Sequence, residues 1–282
     1  MHPLPLPQQP HGRYPWTGRQ DCRPKQGTGI RGRAGAREVS VDHRGWTAGQ
    51  VLHNRRPWRL SRQGSPLPWR LCQCCRGCGR LRLRLVTGNA HKLQEFGSIL
   101  RGLDCRLPLE ELDVGSVVEC GTTYYQNAYR KARSGLLSVL TAGSDDCIVF
   151  ADDSGLELPL FGNMPGVHSA RFRYAGLSER TALAAFLSEH CVSSTPARFV
   201  CWIVAFLPRS RRCLACSGAV AGTVTPESRG SQGFGYDPLF TPNGYSLTFG
   251  EMDAGLKDHI SHRAQAVEAL WCSLQGTMPL RP

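Results

Sequence analysis

Strand-like and helix-like patterns alternate along residues 81–282, and this alternation restricts the fold more than any other feature of the chain. Leu81, Leu83 and Leu85 alternate with arginines, as in a half-buried strand. Further apolar or β-branched runs predict strands at 148–151, 199–207 and 215–225. Helical periodicity follows near Leu93, Thr122 or Thr123, Ser178 and Ser261. Strands interleaved with helices indicate an α/β domain whose functional site lies at strand-to-helix turns.

Two of the predicted helices have a cap and an apolar face that can be read directly from the sequence. Thr122 or Thr123 can cap the second helix, and Ser261 is placed to cap the last one. The residues predicted to be buried are Ala128, Ala132, Leu136 and Leu140 in the second helix and Ala264, Val267, Leu270 and Leu274 in the last.

The excess positive charge is confined to the first part of the chain. Residues 1–80 carry 15 Lys+Arg and 3 Asp+Glu, which leaves 19 of each sign for residues 81–282. We therefore divide the chain into a basic Pro/Arg/Gly-rich extension, 1–80, and a neutral domain, 81–282. The extension lacks a sustained period and is expected to be disordered or to follow from a wrongly assigned translational start. An arm that contacts nucleic acid is the alternative.

The cysteine content and the apolar runs indicate the compartment. The 13 cysteines follow no even disulfide spacing, and no apolar run approaches the roughly 18 residues that a membrane span needs. Prolines at positions 3, 5, 7 and 10 interrupt the segment where a secretory signal would lie. We therefore expect a cytoplasmic protein with reduced thiols and no membrane partner.

The first motif, Thr87-Gly88-Asn89-Ala90-His91-Lys92, lies between a predicted strand and a predicted helix. Free backbone N–H groups and the helix dipole favour a phosphate at such a turn, and Lys92 adds a mobile positive charge. The turn is not a Walker A loop, because the second glycine and the Lys-Ser/Thr pair are absent. Taken alone, it would be an ordinary turn.

The second motif is Asp152-Asp153-Ser154-Gly155, which the pattern places in a turn directly after the strand at 148–151. Two carboxylates there are costly unless a cation or hydrogen-bond donors compensate. Neighbouring residues at a strand end point in opposite directions, so one Asp can face a metal or water while the other fixes the turn. An Asp-rich capping turn is the alternative reading.

Two further groups of residues suit a planar base. In the run 233–238, aromatic residues stand between glycines, which would leave a ring face open for stacking, and Asp237 can accept from an N–H group. Ser261-His262-Arg263 offers donors that match a carbonyl, and Lys257 lies one helical turn upstream. Each group alone is also compatible with a glycine turn or a helix cap.

Six motifs occur in order with short gaps. They are Thr87–Lys92, Asn127–Ala132, Ala151–Leu156, Pro165–Arg171, Gly233–Pro238 and Ile260–Arg263. In this series the chain resembles the inosine/xanthosine triphosphate pyrophosphatases, which remove non-canonical purine nucleotides, and especially their bacterial branch. The resemblance extends over about residues 81–275 and includes none of the extension.

The resemblance implies an α/β fold of elongated, two-lobed shape around a long mixed β-sheet, with the active-site cleft between the lobes. It also implies a homodimer and Mg²⁺-dependent hydrolysis of dITP, ITP and XTP to the monophosphate and pyrophosphate. By motif, Asp153 is the catalytic acid, which binds metal or activates water, and Ser154 contacts substrate. The residues implied to hold the triphosphate are Thr87, Gly88, Asn89, Ala90, His91 and Lys92. Those implied to form the base and sugar pocket are Phe234, Gly235, Tyr236, Asp237, Lys257, His262 and Arg263.

The chain departs from this pattern at two acidic positions. Where the family commonly has a Glu-Glu pair, the chain has Val118 and Glu119, so Glu119 is the remaining candidate to share the metal with Asp153. Gln126 replaces an acidic residue that usually precedes Asn127. Both changes are expected to weaken Mg²⁺ binding without abolishing activity.

Selectivity should depend on the 6-oxo group of the base. Donors from His262 and Arg263 would pair with that oxygen and would face the 6-amino group of adenine unfavourably, and such pairing can discriminate by roughly four or five powers of ten. The alternatives are a related pyrophosphatase of modified or pyrimidine nucleotides and, from another class, a nucleic-acid-binding protein that uses the extension. We do not expect a nucleic-acid partner, because the motifs lie in the neutral domain.

Overall fold

The structure is a computed structural model that describes residues 47–53 and 81–277. Five helices lie in this part of the chain: α1 (Ala90–Gly102), α2 (Tyr124–Thr141), α3 (Glu179–Glu189), α4 (Ala254–Ile260) and α5 (His262–Thr277). The strands in the same residues are β1 (Thr47–His53), β2 (Arg82–Leu85), β3 (Leu109–Glu111), β4 (Cys147–Leu158), β5 (Met164–Pro165), β6 (Arg173–Tyr174), β7 (Leu177–Ser178), β8 (Thr195–Leu207), β9 (Arg212–Val224) and β10 (Phe240–Pro242).

Eight of these strands form one mixed sheet, in the order β1-β9-β8-β4-β2-β3, with β5 added to β4 and β10 to β9. The long strand β8 is antiparallel to both of its long neighbours, β4 and β9, whereas β2 is parallel to both β3 and β4. Strands β6 and β7 pair separately. This confirms the prediction of an α/β fold around a long mixed sheet, while a cleft between two lobes stays a prediction.

The core divides into three clusters along β4. Ile148 and Phe150 pack with residues of α1 and α5, whereas the alternate positions Val149 and Ala151 pack with α2. Beyond Gly155, β4 contributes to a third cluster with α3. Because side chains of a strand alternate between its faces, consecutive residues of β4 point into different layers. Residues 152–154 lie between the cluster boundaries, where β4 passes from one core to the next.

One predicted turn is wrong, because residues 152–155 belong to the interior of β4. Asp153 pairs with Trp202 of β8, and Gly155 pairs with Val200. The strand continues through this polar segment because β8 supplies hydrogen-bond partners along its whole length, which local sequence preference does not report. The two carboxylates therefore lie on opposite faces of a strand and not in a strand-to-helix turn.

Helix α2 has the predicted cap but a slightly different buried face. Thr123 Oγ1 accepts a hydrogen bond from Gln126 N at 3.2 Å. Leu140, predicted to be buried, is 36% exposed, whereas Val139 is 3% exposed. A spacing of four residues advances by 400°, so three such steps rotate Leu140 about 120° away from Ala128, which explains the error. In α5 the capping by Ser261 and the predicted apolar face are both present.

Within the segment assigned to the extension, the structure describes residues 47–53 alone, and they form β1 in parallel with β9. This segment has no alternation of apolar and polar residues, so its sequence pattern does not predict the strand. The expectations for the rest of the extension lie outside the described residues. In the part of the chain that is described, no helix combines the length and apolar character needed to cross a bilayer.

Gly218 of β9 lets the first turn of α5 approach the sheet closely. A Cβ atom at this position would lie 2.2 Å from His262 O and 2.6 Å from Ala266 N. We expect Gly218→Ala to lower the free energy of unfolding by about 1–3 kcal/mol, because backbone atoms of α5 would have to move. Urea denaturation followed by tryptophan fluorescence measures the change. Gly102→Ala is the control, since an added Cβ there would meet no atom within 4 Å apart from its chain neighbours and its own helix backbone. Equal loss in both variants would contradict the explanation.

Candidate active site

The turn that contains the first motif is organised by its own side chains. Asn89 caps α1, and its Oδ1 accepts from His91 N at 3.0 Å and from Lys92 N at 3.3 Å. Asn89 N in turn donates to Thr87 Oγ1 at 3.1 Å. The N–H groups of His91 and Lys92 are therefore not free, contrary to the expectation for this turn. What the turn offers a phosphate is the dipole of a 13-residue helix and the ammonium group of Lys92.

Asp152 joins this turn to the beginning of α5. Its Oδ2 lies 2.8 Å from Lys92 Nζ and 3.9 Å from Arg263 Nη2, and the carboxylate is almost completely buried. Burial alone would raise the pKa of Asp152, but Lys92 and Arg263 hold it well below its ordinary value. Asp152 is therefore ionised and acts as the shared counterion of two cations that come from different elements.

Glu95 of α1 is a second shared carboxylate, and sequence reasoning missed it. It bonds to both Lys257 and Arg263. Burial would raise the pKa of Glu95, yet Arg263 and Lys257 lower it below the ordinary value. The available signal was its position three residues after Lys92, which places both side chains on one face of α1.

The predicted base-pocket residues Lys257 and Arg263 are brought together around Phe234. Lys257 Nζ lies 5.3 Å from the centroid of the Phe234 ring, and the Arg263 guanidinium lies 5.5 Å from it. His91 stacks on the same ring, with centroids 5.5 Å apart and planes inclined by 19°. The ring is thus in contact with the phosphate turn, and its face is not as open as the glycine-rich sequence predicted.

Two residues of this pocket act as internal supports. Asp237 is buried, and its Oδ2 accepts from Phe234 N at 2.8 Å and from Lys257 Nζ at 2.7 Å. Tyr236 is also buried, belongs to a hydrophobic cluster and donates its hydroxyl to Ser169 O at 2.8 Å. Their structural roles are clear, whereas contact with a substrate stays a prediction for both. Gly235 has a φ of 59°, a conformation that glycine adopts without strain.

His262 and Ser154 complete this side of the site. His262 is buried, and its ring stacks on Phe199 with centroids 4.7 Å apart. Burial, together with Arg263 and Lys257, lowers the pKa of His262 well below its ordinary value, so the imidazole is neutral. Within the described residues, Nδ1 of His262 has no hydrogen-bond partner. Ser154 Oγ accepts from Arg263 Nη2 at 3.1 Å.

Asp153 has a separate set of neighbours, contributed by α2. Asn127 Nδ2 donates to Asp153 Oδ2 at 3.0 Å, and Lys131 Nζ lies 3.6 Å from Oδ1. Burial raises the pKa of Asp153 above its ordinary value, although Lys131 and Lys92 oppose the rise. This carboxylate is therefore the more basic of the two adjacent aspartates.

Glu119, in the segment that precedes α2, contacts the same lysine as Asp153, Lys131. It lies 2.7 Å from Lys131 Nζ and 3.0 Å from Arg171 Nη1, while Arg171 Nη2 also donates to the Glu119 carbonyl at 3.3 Å. Burial would raise the pKa of Glu119, but Lys131 and Arg171 lower it below the ordinary value. Lys131 and Arg171 occur in the sequence motifs, but no role could be read for them there.

The charges at the site are balanced. Each cation described above faces at least one of the carboxylates. The five cations are Lys92, Lys131, Arg171, Lys257 and Arg263, and the five carboxylates are Glu95, Glu119, Asp152, Asp153 and Asp237. A polyanionic ligand would therefore need an additional cation, although single cations can exchange a carboxylate for a phosphate.

Fold and site together define an α/β protein with a buried, charge-balanced cluster beside a helix N-terminus. A family model described as the Ham1 family matches residues 83–272. The chain therefore belongs to the Ham1 family.

Curated relatives and solved structures agree with this assignment. A dITP/XTP pyrophosphatase from Xanthomonas oryzae pv. oryzae is 39% identical over 195 residues, which cover 67% of this chain and 94% of the relative. One of the same name from Nautilia profundicola is 35% identical over 192 residues, with 67% and 94% covered. The solved structure of a HAM1 protein from Coxiella burnetii has a TM-score of 0.58 and 30% identity, and covers 70% of this chain and all of that chain.

The two departures from the family pattern differ in their surroundings. Val118 is 67% exposed. Gln126 Oε1 accepts from Thr122 N at 2.8 Å, so its side chain supports the beginning of α2. Neither residue adds a carboxylate to the group around Asp153.

Proposed function

We propose that the chain is a Mg²⁺-dependent pyrophosphatase of dITP, ITP and XTP, which forms the nucleoside monophosphate and pyrophosphate. The observation that carries the proposal is that two adjacent aspartates of β4 contact different groups of the site. Asp152 joins the phosphate turn to Arg263 of the base pocket, whereas Asp153 faces Lys131 and Asn127. The names of the bacterial relatives support the same activity.

In this proposal Lys92 and the N-terminus of α1 bind the triphosphate. The Lys92 side chain is 15% exposed, so its ammonium group can exchange Asp152 for a phosphate oxygen without crossing the core. The dipole of α1 favours negative charge at the same end of the helix. The Asn89 cap keeps the turn in shape while the phosphate is bound.

The residues around Asp153 fit a magnesium ion. In proteins, one or two carboxylates commonly hold Mg²⁺ together with substrate phosphates. Asp153 and Glu119 can supply those carboxylates, since both contact Lys131. Among the described residues, no group of three or more His, Cys, Asp or Glu could hold a metal alone, so phosphate oxygens would have to complete the set. Bound Mg²⁺ would supply the positive charge that the balanced site lacks.

Asp153 is the group that would accept a proton from the attacking water. Asn127 fixes one carboxylate oxygen, Oδ2, and leaves Oδ1 on the side of Lys131. Burial raises the pKa of Asp153 in the metal-free protein, which is the direction that favours a base over an exposed aspartate. The water would attack the α-phosphorus in line with the departing pyrophosphate.

Base selection would depend on His262 and Arg263. Neutral imidazole presents one donor and one acceptor, and Nδ1 of His262 lacks a partner in the described part of the chain. A 6-oxo group would accept a hydrogen bond from His262 or Arg263, whereas the 6-amino group of adenine is itself a donor and would face other donors. Phe234 would contribute an apolar surface beside the base.

The activity is tested by mixing the purified protein with Mg²⁺ and measuring pyrophosphate. We expect release from dITP and XTP, with dATP slower by several powers of ten, and no release when the metal is chelated. A parallel series with dGTP, dTTP and dUTP distinguishes the enzymatic alternatives. Preference for a pyrimidine would overturn the 6-oxo argument, and no release from dITP or XTP would refute the activity itself.

We also propose that the enzyme is a cytoplasmic homodimer, as the family resemblance implies. Sedimentation equilibrium of the full chain measures the assembly, and a monomer at micromolar concentration would contradict it. Truncation before Leu81 should retain the activity, because the site residues lie in the domain at 81–282.

A further inference from the structure

The carboxylates assigned to the metal already share a cation that belongs to the protein. Lys131 Nζ lies 2.7 Å from Glu119 Oε1 and 3.6 Å from Asp153 Oδ1. Its side chain is 14% exposed, so it is held among these groups and is not a freely moving surface lysine. The ammonium group thus compensates negative charge of the two carboxylates, as a divalent cation between them would do.

Lys131 is paired with carboxylates from two different parts of the chain, Glu119 from the segment before α2 and Asp153 from β4. Arg171 adds a second positive group on the other oxygen of Glu119. A divalent cation that approaches the nucleotide-free protein therefore meets carboxylates that are already neutralised, and it is repelled by an ammonium group a few ångströms away.

The two positions at which the family commonly has acidic residues add no carboxylate to this balance. Val118 is exposed and apolar, and Gln126 is uncharged and bonded to Thr122. A nucleoside triphosphate, by contrast, brings phosphate oxygens that can accept the ammonium protons of Lys131. Once Lys131 bonds to phosphate, the two oxygens that faced it, Glu119 Oε1 and Asp153 Oδ1, are available to a metal.

We propose that Lys131 is a resident counterion that keeps Asp153 and Glu119 occupied until a nucleoside triphosphate arrives. This inference rests on the proposed function and adds an order of binding. The divalent cation binds together with the triphosphate and not before it. Metal and nucleotide affinities are then strongly coupled, and by linkage each raises the affinity of the other by the same factor.

The test is direct binding of Mn²⁺, as a paramagnetic probe, to the full chain without nucleotide. Electron paramagnetic resonance measures free Mn²⁺ against wild type, Lys131→Met and Arg130→Met. We expect Lys131→Met to lower the Kd by about tenfold or more, since a positive charge near the ion is removed. Arg130 neighbours Lys131 on α2 but is exposed, so Arg130→Met removes the same charge and should bind Mn²⁺ as wild type does.

A second variant and a nucleotide arm make the result decisive. Lys131→Gln keeps a polar side chain beside Glu119 and should also bind Mn²⁺ more tightly than wild type. It replaces Lys131→Met in the comparison if circular dichroism shows that Lys131→Met is unfolded. With an α,β-methylene analogue of dITP present, wild type should bind Mn²⁺ at least as tightly as the nucleotide-free variant. Equal nucleotide-free affinity in wild type and a folded Lys131 variant would overturn the proposal.

The same experiment separates this inference from the proposed function, because it requires no turnover. Tighter Mn²⁺ binding by the Lys131 variants, combined with no pyrophosphate release by wild type, would retain the counterion and reject the activity. Pyrophosphate release by wild type, with unchanged Mn²⁺ affinity in the variants, would retain the activity and reject the counterion.

Discussion

Asp153→Asn is expected to lower the rate of pyrophosphate release from dITP by about a thousandfold or more, because the substitution removes the base and a metal contact together. The amide is nearly the same size as the carboxylate, and its oxygen can still accept from Asn127, so the fold and nucleotide binding should persist. Single-turnover kinetics measure the rate, and equilibrium binding of the α,β-methylene analogue of dITP measures the affinity.

Asp145→Asn is the matched control for this variant. Asp145 is exposed in the segment between α2 and β4, so the same chemical change there should leave the rate near that of wild type. Near-normal turnover in Asp153→Asn would move the catalytic role to Asp152 or Glu119. Loss of nucleotide binding together with turnover would instead show that the carboxylate is needed to assemble the site.

Asp152→Asn should act on stability more than Asp153→Asn does. It removes the buried counterion of Lys92 and Arg263, and breaking one partner of such a group costs about 3–5 kcal/mol. We expect a loss near the lower limit, about 3 kcal/mol, because Arg263 keeps Glu95 and Lys92 is partly exposed. Urea denaturation at pH 7 measures the loss, with Asp145→Asn again as the control.

The same pair of proteins gives a pH dependence with a defined sign. Because the pKa of Asp152 is depressed in the folded state by Lys92 and Arg263, its contribution is fully present above the unfolded value, about 3.9, and is lost as pH falls through the folded value. The difference in unfolding free energy between wild type and Asp152→Asn should thus be constant from about pH 5 to 7 and shrink in stronger acid. A difference that grows below pH 4 would contradict the assigned ionisation.

Local signals in the sequence predict four of the five described helices and the strands β2, β4, β8 and β9, whereas they do not predict α4 or the remaining described strands. Thr123 and Ser261 are caps whose side chains accept a hydrogen bond from the backbone N–H three residues on, so their effect depends on neighbours in the chain. The motifs likewise locate most of the site, since Lys92, Asp153, Lys257 and Arg263 all lie in the charged cluster.

The remainder depends on partners distant in sequence. Asp152 to Gly155 resemble a turn by composition, and only pairing with β8 keeps them in a strand. Glu95 has the pattern of a solvated helix residue until α4 and α5 place two cations against it. Likewise, two of the N–H groups expected to be free at the first turn, those of His91 and Lys92, are used by Asn89, a competition that motif matching does not consider.

The position of Asp152 and Asp153 on opposite faces of β4 determines where insertions and deletions are compatible with the site. Residues inserted between α2 and β4 lengthen a connection and leave the pairing with β8 intact. One residue inserted within β4 ahead of Asp152 would exchange the faces of the two aspartates, placing the Lys92 counterion beside Asn127 and the base beside Arg263. Natural length variation should therefore accumulate on either side of this strand and be absent within it.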